Sequence, residues 1–356
     1  MVSQSMHSKR TFNALIYALM CVALIGFFIW VWWPPEPVSR PVSVPVATPA
    51  NPPASISVAV PRMDIRALES SGIRPVETTL EAQIALARLG ISPGSIDGVL
   101  GPQTRSALIA FQKKQGISPS GLLDANTKPA LLISLPATTE YTVTTDDLAR
   151  LRPVSTTWLG KSEQPRLDFE NIVELLGEKA FSHPQLIRAL NPNVNWDDLP
   201  GGTPVVIPQV QYPSVAGKAA VVKISLQECV LEAFDSESNL LVHFPCSIGR
   251  LAEKRPAGEL RVATIALNPD YTFDPAVFPE SPEAQAVGRK LMIPPGPNNP
   301  VGVAWIGLDR PGYGIHGTPA PELVGRTESH GCFRLANWNA DYLARLVWIG
   351  MPVVVE

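Results

Sequence analysis

An uncharged, apolar run of residues extends from Thr11 to Trp33. A helix of that length rises roughly 30 Å, which is enough to cross the hydrocarbon core of a bilayer. The run ends in three tryptophans, which favour the membrane interface, and Lys9 and Arg10 precede it on the side expected to stay in the cytoplasm. We therefore predict a cytoplasmic stub (residues 1–10) and a membrane anchor (residues 11–33), with the rest of the chain outside the cytoplasm. A cleaved signal peptide is the alternative, although we see no convincing small-residue cleavage site.

Residues 34–64 are dominated by Pro, Val, Ala and Ser. Proline fixes φ and removes a backbone donor, so this stretch is predicted to be an extended linker rather than a packed element. Such a linker would hold the globular part of the chain away from the membrane.

A helical hydrophobic pattern follows the linker, in residues 65–136. Thr78 and Glu81 have the spacing of a capping box, with Thr78 as the N-cap. A second helix is predicted to begin at Gly101-Pro102, because the missing N–H of proline costs nothing in the first helical turn. The predicted buried positions recur at helical spacing; they are Leu80, Ile84 and Ala87 in the first helix and Thr104, Ala107, Leu108 and Phe111 in the second.

The segment from Ile96 to Thr104, with sequence IDGVLGPQT, resembles the three-helix peptidoglycan-binding domain of cell-wall hydrolases and transpeptidases. Ala107-Leu108 and Phe111-Gln112 continue the resemblance, which implies a small three-helix domain with affinity for wall glycan. Pro129 falls where the third helix of that family runs, and we expect it to shorten that helix. A generic helical spacer is the alternative.

A weaker pattern in residues 140–210 predicts the order strand, helix, helix, strand. Asp168 is the predicted cap of the first helix, and Ser182, followed by Pro184, is the predicted start of the second. This order is similar to a LysM module, which implies an α+β fold and sugar binding. The passage between Thr144 and Asp168 does not fit a LysM module and is expected to be an insertion.

From residue 219 to residue 356 the pattern changes to short β-branched or aromatic runs separated by turns, with one clear helix near Asn337. A mostly-β domain is therefore predicted. Two of its strands carry Cys229 and Cys246, which lie opposite each other if the register is constant. Two buried free thiols are the favoured interpretation of this pair, and a cross-strand disulfide is the alternative.

Three residues in this last domain can carry chemistry together: His316, His330 and Cys332. A thiolate is a strong nucleophile, and a neighbouring imidazole can take the thiol proton. Gly331 permits a backbone conformation in which consecutive N–H groups could stabilise an oxyanion. Arg334, on the same strand face as Cys332, could pair with a substrate carboxylate. Ser329 and Gly317 are expected to line the substrate-binding site with it.

Other interpretations of the same residues stay open on spacing alone. Two histidines and a cysteine could ligate zinc, although no fourth ligand stands nearby in a recognisable spacing, and a lone cysteine is often a buried apolar residue. Composition narrows the classes of function further. The net charge is −3 and only 17% of residues are charged, which argues against a nucleic-acid binder. Four cysteines do not require a disulfide framework.

The sequence His316-Gly317-Thr318, followed by Ser329-His330-Gly331-Cys332-Phe333-Arg334-Leu335, resembles the signature of the YkuD-type L,D-transpeptidases. The resemblance implies that Cys332 attacks the peptide bond before the terminal D-alanine of a peptidoglycan stem tetrapeptide. It implies that His316 is the general base, oriented by a backbone carbonyl, and that His330 shapes the loop beside the thiol. An amine or water then resolves the acyl-enzyme, and the mechanism calls for no metal or other cofactor.

The predicted architecture is multidomain: a transmembrane helix, a three-helix peptidoglycan-binding domain, an α+β LysM-like module and a mostly-β L,D-transpeptidase catalytic domain. The expected partners are stem peptides and glycan, a protein or amine acyl acceptor, and the membrane, with no nucleic acid. The expected location is the cytoplasmic membrane, with the bulk of the chain on the periplasmic or cell-wall side. A non-catalytic wall anchor and an L,D-carboxypeptidase or other hydrolase using the same site are the alternatives.

Overall fold

The computed structural model describes residues 72–134, 136–249, 255–278, 280–326 and 331–356. The predicted stub, membrane anchor and linker, and the predicted site residues Ser329 and His330, lie outside these ranges. Among the helices that the structure describes, none combines the length and the apolar character needed to cross a bilayer.

The N-terminal unit consists of two well-formed helices, a single helical turn and a two-stranded ribbon. Its elements are β1 (Ile73–Pro75), α1 (Thr79–Arg88), α2 (Pro102–Lys114), α3 (Thr127–Ala130) and β2 (Leu132–Ser134), with β1 antiparallel to β2. Thr78 caps α1 as predicted, since its Oγ1 accepts a hydrogen bond from the Glu81 N–H at 3.2 Å. The Glu81 carboxylate accepts from the N–H of Glu77 (2.8 Å), one residue before the capping-box position. Pro129 lies in the short third helix.

The second unit has an antiparallel pair of strands around its helices. Its elements are β3 (Thr138–Thr142), α4 (Thr145–Ala149), α5 (Trp158–Glu163), α6 (Ile172–Lys179), α7 (Pro184–Leu190) and β4 (Pro204–Pro208), with β3 antiparallel to β4. A hydrophobic core of its own lies between the strands, α6 and α7.

Two predicted helix caps in this unit are wrong. Asn171 caps α6, and its Oδ1 accepts the N–H of Glu174 at 3.0 Å. Asp168 instead accepts two hydrogen bonds from the Arg150 guanidinium. A buried carboxylate is stabilised more by a charged partner than by the N–H groups of a helix end. The cap of α7 is His183, one residue after the predicted Ser182.

The C-terminal unit is built on a sheet to which the described residues contribute eight strands: β5 (Val221–Ser225), β6 (Val230–Phe234), β7 (Leu240–Pro245), β8 (Gly258–Leu267), β11 (Ala304–Leu308), β12 (Gly314–His316), β13 (Phe333–Arg334) and β14 (Pro352–Val355). Their order in the sheet is β13-β12-β11-β8-β14-β5-β6-β7. Two further strands, β9 (Tyr271–Phe273) and β10 (Leu291–Ile293), form a separate antiparallel ribbon, and the helices are α8 (Pro282–Val287) and α9 (Asn337–Leu346). The predicted mostly-β architecture and the helix at Asn337 are confirmed. The ribbon and α8 were not predicted.

The sheet curls so that its two ends approach each other. Ser247, two residues beyond β7, exchanges both backbone hydrogen bonds with Arg334 of β13, at 2.9 and 3.0 Å. Strand β13 is therefore held on both sides, by β12 and by Ser247.

The register of β6 and β7 places Cys229 beside Cys246, as the sequence pattern predicts. Val230 pairs with Pro245 and Leu231 with Phe244, and the Cys246 N–H donates to the Cys229 carbonyl at 2.8 Å. Both thiols are free, with Cys246 buried and Cys229 half-buried. The prediction of free thiols is thus confirmed, whereas the prediction that both are buried is correct for Cys246 and wrong for Cys229.

The N-terminal unit covers the open edge of β7. The Ser92 N–H donates to the His243 carbonyl (2.8 Å), the His243 N–H donates to the Gly90 carbonyl (3.2 Å), and the Lys114 ammonium donates to the Leu240 carbonyl (2.9 Å). A Cβ on Gly90 would lie 2.7 Å from the Leu241 carbonyl oxygen, so the approach requires glycine. One continuous hydrophobic core joins the two units. Covering an edge in this way removes a site for unwanted strand pairing.

Candidate active site

The two parallel strands β12 and β13 place His316 and Cys332 on the same face of the sheet. Ile315 pairs with Phe333 and His316 pairs with Arg334. Ile315 and Phe333 are completely buried in the core, so their neighbours in each strand project from the other face. Continuing the register back by one residue sets Cys332 opposite Gly314, two positions from His316. The sulfur and the imidazole therefore project from the same face of neighbouring strands.

His316 is held by a backbone carbonyl. Its Nδ1 lies 2.6 Å from the Gly317 carbonyl oxygen, a contact in which Nδ1–H donates and Nε2 is left as the acceptor. The side chain is only 5% exposed. Burial lowers the pKa of His316 to about 4; the Gly317 carbonyl opposes this shift, and the Arg334 charge adds to it. The imidazole is consequently neutral at physiological pH.

Cys332 is half-buried, and its Sγ donates to the Gly312 carbonyl at 3.5 Å. Burial raises the pKa of the Cys332 thiol, while a backbone hydrogen bond with Gly314 and the Arg334 guanidinium lower it. Because burial disfavours the charged form of both groups, the resting site holds a neutral thiol beside a neutral imidazole.

Trp305 forms the wall next to the imidazole, a role that the sequence did not reveal. It pairs with His316 across β11 and β12, and the two rings lie 5.6 Å apart at an interplanar angle of 24°. A Cβ on Gly314 would lie 2.6 Å from two ring carbons of Trp305. Glycine at position 314 thus leaves room for the indole and for the approach of Cys332.

Gly317 is buried directly after His316 and does not line an exposed surface. A Cβ at this position would lie 2.2 Å from Oδ1 of Asn337, which also accepts the Val303 N–H at 3.2 Å. The Asn337 Nδ2 donates to the Pro297 carbonyl at 3.1 Å. This buried amide therefore packs closely on Gly317, where only glycine leaves room for it.

Arg334 lies beside the predicted nucleophile and a residue that sequence reasoning missed, Tyr271. Burial lowers the pKa of the Arg334 guanidinium, and the neighbouring Cys332 and Tyr271 raise it. Its backbone is fixed by Ser247, so the guanidinium has a rigid base. The arrangement provides a cation next to the sulfur, suited to a carboxylate on a bound substrate.

Gly331 is described, whereas Ser329 and His330 before it are not. Gly331 has φ of +151°, a region that favours glycine, and a Cβ on Gly249 would lie 3.1 Å from its Cα. Within the described ranges, no group of three or more His, Cys, Asp or Glu side chains is arranged to hold a metal ion, and His330 of the zinc alternative falls outside them.

Comparison with known families identifies two domains. The family model of the L,D-transpeptidase catalytic domain, YkuD, matches residues 219–355, and that of a peptidoglycan binding domain matches residues 77–131. A Bacillus licheniformis protein named as an L,D-transpeptidase, YkuD, is 25% identical over 171 residues, covering 48% of this chain and 85% of its own length. The Escherichia coli K12 "Probable L,D-transpeptidase YbiS" is 31% identical over 167 residues, covering 46% of this chain.

This chain covers 53% of the length of YbiS. Among solved structures, an L,D-transpeptidase of Xylanimonas cellulosilytica is 16% identical, with a TM-score of 0.34, and the match covers 80% of this chain and 96% of that one. Residues 219–355 therefore form an L,D-transpeptidase catalytic domain, and residues 77–131 form a peptidoglycan-binding domain.

Proposed function

We propose that Cys332 is the nucleophile and His316 the general base of an acyl transfer on peptidoglycan stem peptides. The observation that carries this proposal is the placement of both residues on one face of β12 and β13, with His316 Nδ1 held by the Gly317 carbonyl. That hydrogen bond leaves Nε2 as the atom that accepts the thiol proton.

In the first step the Cys332 sulfur attacks the carbonyl before the terminal D-alanine of a donor tetrapeptide, while its proton passes to His316 Nε2. The carbon–nitrogen bond then breaks, D-alanine leaves with that proton on its amine, and an acyl-enzyme remains. Backbone N–H groups at Gly331 and Cys332 stabilise the oxyanion. An acceptor amine, or water, attacks the thioester and releases Cys332, giving a cross-link, an attached protein or a trimmed stem.

The Arg334 guanidinium binds a carboxylate of the stem peptide in this proposal. Arg334 lies on the same strand face as Cys332, and its strand is hydrogen-bonded along both edges, to β12 and to Ser247. The half-buried cation strengthens a charge-assisted hydrogen bond by excluding water.

Residues 140–210 form a LysM-like module that binds glycan, together with the domain at residues 77–131. The proposal is supported by the antiparallel pair β3 and β4 with α6 and α7 between them in the chain. Two weak binding sites next to a catalytic site raise the effective concentration of an immobile polymer. In the same proposal, residues 11–33 anchor the chain so that it acts outside the cytoplasm.

Purified full-length chain incubated with a disaccharide-tetrapeptide mixture tests the reaction. We expect loss of D-alanine and, by mass spectrometry, a product mass that identifies the acceptor. Cys332→Ala should abolish the loss, and Cys246→Ala, at a buried thiol outside the site, is the matched control. An inert wild-type chain would favour the wall-anchor alternative, and inactivation by a chelator would favour a zinc hydrolase.

A further inference from the structure

The segment between α4 and α6, residues 150–168, has no counterpart in the LysM-like pattern and packs against the catalytic domain. At its centre, the Trp158 indole stacks on Phe273 of β9, with ring centroids 4.2 Å apart and an interplanar angle of 14°. The backbone N–H of Trp158 donates to Oε1 of Glu283 in α8 at 2.5 Å. We call residues 150–168 the inserted segment.

A second contact ties the end of the inserted segment to the loop after β10. The Leu167 N–H donates to the Pro295 carbonyl, and the Leu167 carbonyl accepts the Asn298 N–H, both at 3.0 Å. A Cβ on Gly296, whose φ is +146°, would lie 2.0 Å from the Leu167 carbonyl oxygen. Leu167 itself is completely buried. The contact is thus made by backbone pairing and close packing together.

The inserted segment covers the inner face of the β9–β10 ribbon. Phe273, Leu291 and Ile293 on that face are buried, whereas Met292 on the outer face is 57% exposed. Two strands of three residues each are too short to be stable by themselves in water. Trp158 and Leu167 therefore supply part of the apolar packing that the ribbon needs, together with Phe278 and Ala284 of the catalytic domain.

Tyr271 lies on the same inner face, two residues before Phe273, and its ring is 6.2 Å from that of Trp158. Burial raises the pKa of the Tyr271 hydroxyl, the charges of Cys332 and Asp274 raise it further, and the Arg334 guanidinium lowers it. One end of the ribbon is therefore packed on Trp158, and Tyr271 lies near enough to Cys332 and Arg334 for their charges to act on its hydroxyl.

We propose that Trp158 is a positioning residue for the transpeptidase site: by stacking on Phe273 it holds the β9–β10 ribbon so that Tyr271 forms one wall of the donor-stem groove beside Cys332 and Arg334. The inference rests on the proposed function for the identity of the donor. The inserted segment belongs to a non-catalytic module. Through Trp158 it would nevertheless affect directly how the catalytic site holds the stem peptide.

Trp158→Ala in the full-length chain tests the proposal. We expect kcat/KM for D-alanine release from a soluble disaccharide-tetrapeptide to fall at least roughly tenfold, mainly through a higher KM, because a misplaced wall loosens the substrate. Amide hydrogen exchange in residues 271–273 should become faster. Trp158→Phe, which keeps an aromatic ring on Phe273, should recover most of the activity.

Trp196→Ala is the matched control, since Trp196 is a half-buried tryptophan that packs on the core of the same module. It should leave KM and the exchange of residues 271–273 unchanged. If Trp158→Ala keeps the wild-type KM and the wild-type exchange rate, the proposal is overturned. Equal losses in the two alanine variants would also overturn it, because they would show general destabilisation.

A double-mutant cycle separates positioning from folding. If Trp158 acts through Tyr271, then Trp158→Ala should cost little further activity in a Tyr271→Ala chain. Fully additive losses would contradict the proposal. A wild-type chain that releases no D-alanine would overturn the proposed function, whereas the exchange of residues 271–273 in Trp158→Ala would still decide whether the inserted segment holds the ribbon.

Discussion

At the scale of single residues, the protonation of Cys332 and His316 has a measurable consequence. Burial raises the pKa of Cys332 and lowers that of His316 to about 4, so the thiolate is scarce at neutral pH. We expect the rate of Cys332 alkylation by iodoacetamide to be still rising at pH 9, because the pKa of this thiol lies above its ordinary value. Peptide mass spectrometry separates Cys332 from the other cysteines. A plateau below pH 7 would show a preformed thiolate–imidazolium pair instead.

The Arg334 guanidinium opposes the effect of burial on the sulfur. Arg334→Met should therefore raise the pKa of Cys332 further and slow its alkylation at pH 8 by roughly a factor of three to ten. The KM for the stem tetrapeptide should rise as well, because a carboxylate partner is lost. Arg334→Lys, which keeps the charge, is the control for the alkylation rate. Unchanged alkylation in Arg334→Met would mean that the guanidinium does not act on the sulfur.

His316 links the stability of the catalytic domain to pH. Its folded-state pKa of about 4 lies below the ordinary value of 6.5, so the unfolded chain binds the proton more readily. The stabilisation by neutral His316 is complete above pH 6.5 and is lost as pH falls towards 4, by up to ~3 kcal/mol. The melting temperature of wild type should fall over that range more steeply than that of His316→Gln. Parallel pH profiles would contradict this assignment.

At the scale of elements, the glycine at position 314 of β12 leaves the space that the Trp305 ring of β11 occupies beside His316. Gly314→Ala would place a Cβ 2.6 Å from the indole, so the ring or the strand must shift. We expect a loss of about 1–3 kcal/mol in the free energy of unfolding and reduced D-alanine release. Gly217→Ala, where nothing lies within 4 Å of the added Cβ, is the control. Near-wild-type stability of Gly314→Ala would show that Trp305 has room to move.

Much of the element arrangement could be predicted from alternation and caps, and the failures have a physical cause. The pairing that places Cys229 beside Cys246 follows from the apolar face of β6 and β7, and it holds although the register shifts between Ala233 and Phe234. The β9–β10 ribbon escaped prediction because strands of three residues carry too little periodicity, and with it Tyr271 was missed. Asp168 was assigned to a cap because its true partner, Arg150, cannot be read from local spacing. The inserted segment lacks a pattern because its packing partners, such as Phe273, lie far away in sequence.

At the scale of the whole molecule, the N-terminal unit completes the catalytic sheet. Its contacts with β7 bury the edge of that strand and merge the two cores. A shortened chain that begins at residue 217 should therefore expose β7 and self-associate. Light scattering after size-exclusion chromatography would measure this, with a chain beginning at residue 72 as the control. A monomeric, stable shortened chain would show that the edge needs no cover.

The hydrogen bonds of Ser92 and Gly90 with His243 also fix the position of residues 77–131 relative to the catalytic sheet. Because residues 77–131 are packed on the sheet instead of being joined to it by a flexible linker, a wall strand bound there would meet Cys332 at one distance and one angle. Only stems at that distance could then be processed. The chain would in this way select among chemically identical stems by their position along the bound strand.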